Sequence, residues 1–401
     1  MEELKRKYAK FILETCLKVD ENRSLLIATT ENTLDFAELM KEEALKLGLS
    51  DIYIYTDNVA RKKELIMTKS IEELTLCPEF DRSIWNTYAE KDAAFASINS
   101  PLPNFMSDVD SDKMAHVNKI TVGSMQIFKE KQRATLVPWC IFAAPNKIWA
   151  DILFPNSENS IEELWTKIFE ICLINESDAS KSWGNKIEKM QTTADKLNSL
   201  NIKTMRYLNS LGTDLTVELS ENSIWISAKE KDYIVNMPTE EIFTTPLYKK
   251  TNGVVYSSKP LIYSGVTIEN FGFKFENGKV IEVIANSNKE ILEKMIEMDE
   301  YAPYLGECAL VNFNSPISNS NIVFMTTLYD ENASCHLALG SGFCNCYLNG
   351  EEMSKEELRE CGVNDSLQHV DFMIGTSDLE IIATTYRGEQ IKIMENGNII
   401  I

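Results

Sequence analysis

The chain contains 401 residues, of which 44% are hydrophobic and 25% are charged, so it is long enough for two domains with sizeable cores. It carries 61 acidic and 40 basic residues, and its net charge of −21 opposes binding to nucleic acid, whose phosphates would be repelled. It lacks both a run of about 18 apolar residues and the features of a signal peptide, so we expect a soluble cytoplasmic protein with no membrane span.

The first part of the chain alternates between strand and helix patterns. An amphipathic helix is predicted over residues 1–18. Further on, short apolar runs predict strands, and apolar residues at helical spacing predict helices between them. The predicted strands are 24–29, 51–55, 93–98 and 139–144, and the predicted helices are 34–47, 81–92 and 110–128. This alternation is typical of βαβ units around a mostly parallel sheet. No GxGxxG motif follows these strands, so a dinucleotide site has no support.

Two predicted helices mark the middle of the chain. The first covers Ser160–Ile174, with Ser160 as N-cap and Glu163 completing a capping box. The second covers 185–200. We expect both helices to bridge an N-terminal domain, residues 1–185, and a C-terminal domain, residues 186–401.

The C-terminal half has the pattern of an α+β domain rich in antiparallel strands. Apolar and polar residues alternate over 215–219, as in a half-exposed strand. A hairpin is predicted over 271–283 around the Asn-Gly turn at 277–278, and a second Asn-Gly turn lies at 396–397. A helix is predicted over 289–298 between strand regions.

The nine cysteines form neither a disulfide framework nor a recognisable zinc pattern. They are odd in number and scattered from Cys16 to Cys361, which favours reduced thiols in a cytoplasmic protein. The tight pair Cys344 and Cys346 is separated by one residue, whereas paired zinc ligands usually have about two to four residues between them. We interpret this pair as packing residues on a strand.

Two of the three histidines lie near the C-terminus among possible metal ligands. His336 follows an acidic stretch, and His369 and Asp371 are two residues apart, a spacing that points both side chains to one face of a strand. Upstream lie the carboxylate pair Glu240-Glu241 and Glu307, which stands in an otherwise apolar stretch.

Glu307 is the most informative of these residues, because a carboxylate is rarely buried without a partner or a metal. The apolar residues around Asp371 indicate the same. Histidine, aspartate and glutamate together suit divalent ions, and two neighbouring ions can share one carboxylate and position a hydroxide for attack on a carbonyl. The alternative is that the histidines are hydrogen-bonded core residues and that the acids face solvent. We interpret the third histidine, His116, as structural.

Five segments of the chain together resemble one family, and the similarity extends over nearly the whole chain. These segments resemble the M29 family of aminopeptidases, the thermophilic aminopeptidase group. The segments are Asn236–Pro246, Leu305–Leu310, Ser315–Ser318, Thr327–Gly340 and His369–Gly375.

The resemblance implies a two-domain homodimer that uses two divalent metal ions, zinc, cobalt or magnesium, to hydrolyse peptides with a free N-terminus. With the patterns described above, the predicted fold is an α/β N-terminal domain around a mostly parallel sheet, followed by an α+β metallopeptidase domain rich in antiparallel strands. The metal ligands that it implies are Glu241, Glu307, His336, His369 and Asp371, with Glu307 bridging the two ions.

Phe343 marks a departure from the family pattern, in which a tyrosine stands three residues after the glycine that corresponds to Gly340. Phe343 keeps the ring and loses the hydroxyl, which could ligate metal or donate a hydrogen bond to the developing oxyanion. Tyr347, four residues further along, is a possible substitute. The departure places catalytic rate in question more than metal binding.

The leading hypothesis is hydrolysis of an N-terminal peptide bond, with Glu240, Glu307 or Glu331 as the group that takes the proton. We favour Glu240, because Glu241 is expected to bind metal, although neighbouring strand residues face opposite ways. One alternative is a metal-binding homologue that has lost efficient catalysis, which Phe343 favours. Another is a metal-dependent hydrolase of a different small amide or ester.

Overall fold

A computed structural model describes residues 1–227, 229–230, 232–263 and 266–401. The helices of these residues follow the apolar spacing of the sequence, and several begin at a side-chain cap such as Asn58 or Ser70. The α-helices are α1 (Glu2–Phe11), α2 (Leu34–Lys46), α3 (Val59–Thr68), α4 (Ile71–Thr75), α5 (Ile84–Glu90), α6 (Ser111–Gly123), α7 (Gln126–Arg133), α8 (Lys147–Leu153), α9 (Ser160–Ile171), α10 (Ala179–Leu200), α11 (Lys289–Ile296), α12 (Pro316–Asn319), α13 (Thr327–Asp330) and α14 (Lys355–Glu360).

The strands are concentrated after α10, where the sequence pattern changes from helical to alternating. The strands are β1 (Leu25–Thr30), β2 (Ile52–Asp57), β3 (Ala94–Asn99), β4 (Trp139–Ala143), β5 (Ile202–Leu208), β6 (Asp214–Glu218), β7 (Ile226–Ser227), β8 (Lys229–Glu230), β9 (Tyr233–Ile234), β10 (Asn236–Met237), β11 (Ile242–Thr244), β12 (Asn252–Tyr256), β13 (Leu261–Tyr263), β14 (Val266–Ile268), β15 (Phe271–Glu276), β16 (Lys279–Ala285), β17 (Leu305–Leu310), β18 (His336–Gly340), β19 (His369–Met373), β20 (Glu380–Thr385), β21 (Gln390–Glu395) and β22 (Asn398–Ile399).

The chain divides into two compact units. The first consists of Met1–Gly184 with two short later segments, Lys229–Pro238 and Tyr263–Val266. The second consists of Asn185–Ala228, Thr239–Ile262 and Thr267–Ile401. The division between Gly184 and Asn185 falls within α10.

The first unit is built on a five-stranded sheet in the order β10-β4-β3-β1-β2, with every pairing parallel. Strands β1 and β3 are almost entirely buried, as expected for parallel strands covered by helices. Aromatic side chains from the helices pack together against it: the Trp165 ring lies 5.1 Å from Phe36 and 5.2 Å from Phe169, centroid to centroid. The predicted α/β architecture of this part of the chain is confirmed.

The second unit contains two mainly antiparallel sheets. The larger has eight strands in the order β16-β15-β12-β6-β5-β20-β21-β22. The predicted hairpin is present as β15 and β16, and Asn277 and Gly278 in its turn have φ of 49° and 84°, the positive values that a type I′ turn requires. The other sheet has five strands in the order β19-β18-β17-β11-β7 and carries the candidate site. The predicted α+β character is therefore confirmed as well.

Three local predictions differ from the structure. Ser160 is not the N-cap of α9: Asn159 holds that position, and the Ser160 hydroxyl donates to Asp151 at 2.5 Å, so no capping box forms with Glu163. Cys344 and Cys346 do not lie on a strand, because a local bond from the Tyr347 N–H to the Cys344 carbonyl, 3.1 Å, closes a 3₁₀ turn there.

The predicted helix over 110–128 is two helices, α6 and α7, because the backbone leaves helical values at Met125, with φ −111° and ψ 29°. Across the residues that the structure describes, every helix is too short or too polar to cross a membrane. All nine cysteines are free thiols, as expected.

Candidate metal centre

The candidate site is built on three adjacent antiparallel strands, β17, β18 and β19. Residues directly opposite each other on such strands share a face, and so do residues two apart on one strand. Ala338 of β18 pairs with Glu307 on one side and with Asp371 on the other. The three side chains therefore form a row on one face, and the small methyl group of Ala338 leaves the space between the two carboxylates open.

The two histidines lie on the same face of the sheet as this row, each two residues away from it along its strand. His336 is two residues before Ala338 on β18, and His369 is two residues before Asp371 on β19. The register pairs His369 with Gly340 at the opposite end of β18. The histidines consequently flank the central row from its two ends.

Glu307 is directed to this row by a bulge in β17. The register with β18 shifts between Leu305 and Glu307, which includes Gly306. A side chain at Gly306 would meet the carbonyl oxygens of Ser341 and Gly340 at 2.2 and 2.4 Å, so only glycine permits this close approach. The bulge thus sets the direction of the Glu307 side chain.

Five of the predicted site residues come together in two overlapping groups. Glu241, Glu307 and His336 form the first cluster, and Glu307, His369 and Asp371 form the second; in each, one ligand-type atom per residue lies within 4.8 Å of the others. Glu307 belongs to both.

The distances show how Glu307 joins the two clusters. Its Oε1 lies 3.9 Å from His336 Nε2, and its Oε2 lies 2.9 Å from His369 Nε2. His336 Nε2 is also 3.2 Å from Glu241 Oε2, and His369 Nε2 is 3.1 Å from Asp371 Oδ1. One carboxylate therefore faces a histidine with each of its oxygens.

Backbone carbonyls fix the orientation of both imidazoles. His336 Nδ1 lies 3.0 Å from the Glu331 carbonyl oxygen and 3.1 Å from that of Ser334. His369 Nδ1 lies 2.7 Å from the Ser341 carbonyl oxygen. Because a carbonyl can only accept, each Nδ1 carries the proton, and in the neutral ring the Nε2 lone pair is directed at the carboxylates.

The charge balance of the cluster calls for a cation. Burial lowers the pKa of His336, but the neighbouring carboxylates raise it by more than burial lowers it. Glu241 makes the largest of these contributions, and the resulting pKa is about 10. The pKa of His369 is well above its ordinary value for the same reason, with Asp371 as the largest favourable contribution. Burial raises the pKa of Glu307 to about 6. Without a metal, the imidazoles take up protons to balance the carboxylates.

One side of the cluster is more open than the other. The side chains of His336 and Glu307 are only 1% and 5% exposed, whereas His369 is 27% exposed. Asp371, on the same strand as His369, is 13% exposed. The cluster is therefore exposed to solvent mainly on the His369 side.

The aromatic ring of Phe343 lies at this open side. Its centroid is 4.9 Å from that of His369 and 5.1 Å from that of Phe243. The other phenol candidate, Tyr347, has its hydroxyl bonded to the Asn222 amide at 3.1 Å. His116 lies on α6 in the first unit, and its Nε2 hydrogen-bonds the Thr75 hydroxyl at 2.9 Å.

Glu240 and Glu331 differ in their relation to the cluster. Glu240 belongs to neither cluster, and its partly buried carboxylate forms an ion pair with Lys186 of α10. Burial raises the pKa of Glu240, and the lysine opposes this. Glu331 is 8% exposed, and its pKa is well above its ordinary value because of burial and the nearby carboxylates of Asp371 and Glu241.

The structure adds two residues that the sequence did not point to. Lys186 pairs with Glu240, and Asn332, fully buried, accepts a hydrogen bond from the Glu240 N–H at 2.7 Å. A lysine on a helix and an asparagine after an acidic stretch are ordinary surface residues in sequence, so no pattern marked them.

Comparisons with known proteins agree on one family. The model of the thermophilic metalloprotease family M29 matches residues 1–399. The chain is similar to aminopeptidase AmpS of Bacillus subtilis (strain 168), at 35% identity over 401 residues that cover 98% of this chain and 97% of the relative. It is 33% identical to aminopeptidase 2 of Geobacillus stearothermophilus over 399 residues, which cover 98% and 96% of the two chains.

A solved structure extends this similarity to the fold. Wild-type AmpT from Thermus thermophilus aligns with a TM-score of 0.90 at 26% identity, and the alignment covers 100% of this chain and 99% of that one. The family that the sequence motifs predict and the family that these comparisons identify are the same.

Proposed function

The chain belongs to the M29 family of thermophilic metalloproteases, and on that premise we propose that it is an aminopeptidase that removes residues from peptide N-termini with two divalent metal ions. The observation that carries the proposal is the position of Glu307 in both clusters, with one carboxylate oxygen facing each histidine. A carboxylate placed between two sets of nitrogen and oxygen donors can serve as a ligand to two neighbouring metal ions.

The residues present fit such ions. The first ion would be held by Glu241, Glu307 and His336, and the second by Glu307, His369 and Asp371. The two imidazoles direct Nε2 inward because their Nδ1 atoms are bonded to carbonyls. Two nitrogens among carboxylate oxygens favour zinc or cobalt over magnesium, which prefers oxygen ligands.

When bound, the ions would polarise the scissile carbonyl and lower the pKa of a water molecule towards neutrality. The chain's own residues then have to move protons. The attacking water loses a proton as it adds to the carbonyl carbon, and the nitrogen of the leaving amine gains one as the C–N bond breaks.

We assign this proton transfer to Glu331, one of the three candidates from the sequence. Glu307 faces histidines with both oxygens, and Glu240 is engaged by Lys186. Glu331 is buried beside Asp371 and Glu241, and burial together with these carboxylates raises its pKa, which favours a group that accepts a proton.

The requirement for a free N-terminus tests the proposal most directly. A peptide with a free amine and its N-acetylated form are compared at equal concentration, with metal content measured in the same preparation. We expect hydrolysis of the free peptide alone, with release of its first residue. Cleavage of both forms at equal rates, or release of internal fragments, would contradict an aminopeptidase.

Phe343 supports a second candidate, a metal-binding homologue with impaired catalysis. Its ring lies against His369 without a hydroxyl, so it offers no hydrogen bond to a developing oxyanion. Metal binding without turnover of any aminoacyl reporter would favour this candidate. Turnover of simple amides or esters in preference to peptides would instead indicate a hydrolase of another small substrate.

Two further proposals follow from the family and the composition. We expect a homodimer, measured by light scattering, as the family resemblance implies. We also expect a cytoplasmic location, in keeping with nine free cysteines, which an oxidising compartment would tend to pair.

A further inference from the structure

The ligand-bearing segment before β11 has no strand of its own to hold it. Glu307, His336, His369 and Asp371 lie on strands whose ladders fix their positions. Glu241 precedes the first residue of β11, Ile242, and is not part of the ladder. Something else has to hold this carboxylate at the first cluster.

The side chain of Asn332 supplies a bond to this segment. Asn332 lies in the 3₁₀ turn Glu331–Ala333 and is 0% exposed. Its Oδ1 accepts from the Glu240 N–H at 2.7 Å, and its Nδ2 donates to the Leu328 carbonyl at 3.0 Å. The same Nδ2 lies 3.3 Å from Glu331 Oε1.

These contacts are part of a closed ring of contacts and chain connections around the first cluster, formed by the Glu240-Glu241 pair, the Glu331-Asn332 pair and His336. The carbonyl of Glu331 accepts from His336 Nδ1, and His336 Nε2 lies 3.2 Å from Glu241 Oε2. Glu241 follows Glu240, whose N–H is bonded to Asn332, and Asn332 follows Glu331. Each of these segments is thus held by a contact with another one. The contact between the Glu241 segment and the Glu331 turn is made by Asn332.

We propose that Asn332 is a positioning residue of the metal centre, whose amide sets Glu241 for the first metal ion and orients the Glu331 carboxylate. The proposal rests on the two-metal function proposed above. An amide suits both tasks because it offers an acceptor and a donor in one planar group. Alanine would remove both and leave the partly buried Glu240 N–H without this acceptor.

The proposal predicts a loss confined to the first cluster. Residues that support metal ligands typically contribute about 10–100-fold in metal affinity or activity. We therefore expect Asn332→Ala to weaken the ion at Glu241, Glu307 and His336 by about that factor, and to leave the ion at His369 and Asp371 close to its wild-type affinity.

Titration of the metal-free full-length protein with cobalt(II), followed by its visible spectrum, measures the two affinities. His336→Ala and His369→Ala identify which phase belongs to which cluster. Asn146→Ala is the matched control, since Asn146 is another buried asparagine, with its amide bonded to Ser100 and Pro101 in the first unit. This control should bind cobalt as the wild type does.

Each outcome of the titration bears on one idea. If the wild type binds no cobalt, the proposed function fails and Asn332 is not the cause. If Asn332→Ala binds cobalt at the first cluster with unchanged affinity, or loses both phases equally while remaining folded, the positioning role is overturned.

A second variant covers the possibility that Asn332→Ala does not fold. Asn332→Asp keeps an oxygen for the Glu240 N–H and removes the donor to Glu331 and to the Leu328 carbonyl. It should retain the first cobalt phase while kcat falls and KM stays unchanged. A first cobalt phase lost together with an unchanged kcat would overturn the assignment.

Discussion

Glu307 Oε2 and His369 Nε2 lie 2.9 Å apart, while Nδ1 of the same imidazole is hydrogen-bonded to the Ser341 carbonyl. Two lone pairs cannot face each other at this distance without a proton or a cation between them. In the metal-free protein that place is held by a proton on the imidazole, and a bound metal ion would take the position of the proton.

Metal binding should therefore release protons and become tighter as the pH rises. The pKa of His336 is about 10, so this imidazole is protonated near neutral pH without metal, and the raised pKa of His369 favours a proton there as well. Metal must displace these protons, and a higher pH lowers their competition. Calorimetry in buffers of different ionisation enthalpy measures the protons released, between about pH 6 and pH 8. An affinity that does not change over this range would contradict the exchange.

Glu307→Gln should remove activity more completely than any cysteine substitution. The amide keeps the volume but loses the charge and one acceptor in both clusters at once. We expect kcat/KM to fall by more than the roughly 100-fold typical of a residue that only supports the ligands. Cys335→Ser is the control, because Cys335 is buried and bonded to Val311 on the backbone. Equal losses in the two variants would remove Glu307 from its bridging role.

The sequence was sufficient to predict that the strand-borne residues of the candidate site come together. His369 and Asp371 are two residues apart, and on β19 they do share a face. Glu307 stands out because charge is rare in a buried strand, and all six residues of β17 are buried. Both signals are local, since they need only the two-residue period of a strand and the cost of burying a charge.

The rest of the site depends on contacts between distant segments. The sequence favoured Glu240 as the proton acceptor because Glu241 is expected to bind metal, and this assignment stays a prediction. The ion pair of Glu240 with Lys186, which lies 54 positions earlier in the chain, has no local signal in the sequence. The sequence around Asn332 gives no sign of its role either, because the Glu240 N–H that it binds is 92 positions away. The division of the chain into domains 1–185 and 186–401 stays a prediction.

Ala338→Val should abolish metal binding while the fold persists. Ala338 lies between Glu307 and Asp371 in the register, and two added methyl groups would occupy the space where ligand atoms converge. Ala383→Val is the matched control, because Ala383 is a buried alanine between Met205 and Ile391 in the eight-stranded sheet. Both variants should lose about 1–3 kcal/mol of stability from overpacking. Normal metal stoichiometry in Ala338→Val would show that the ions lie elsewhere.

Glu331→Gln and Glu240→Gln should separate catalysis from structure. If Glu331 transfers the proton, its variant loses about 10²–10⁴-fold in kcat, the usual contribution of general acid–base catalysis. Glu240→Gln should keep kcat and lose stability, because the ion pair with the partly buried Lys186 loses its negative charge. Measurements of kcat at saturating metal and of thermal unfolding are needed for both. The reverse order of kcat losses would return the assignment to Glu240.

The last prediction concerns the phenol that Phe343 lacks. Phe343→Tyr adds a hydroxyl at the open side of the cluster, on a ring whose centroid is 4.9 Å from that of His369. A single well-placed donor to an oxyanion contributes about 10²–10³-fold in kcat, so we expect slow wild-type turnover and a clear gain in this variant, with metal content unchanged. If Tyr347 has taken over the role instead, Phe343→Tyr gains nothing and Tyr347→Phe loses most activity. The Tyr347 hydroxyl is bonded to Asn222, so we expect Tyr347→Phe to be nearly neutral. Assays of both variants under one metal condition decide between the two tyrosines, and an unchanged kcat in both would mean that this enzyme works without a phenol.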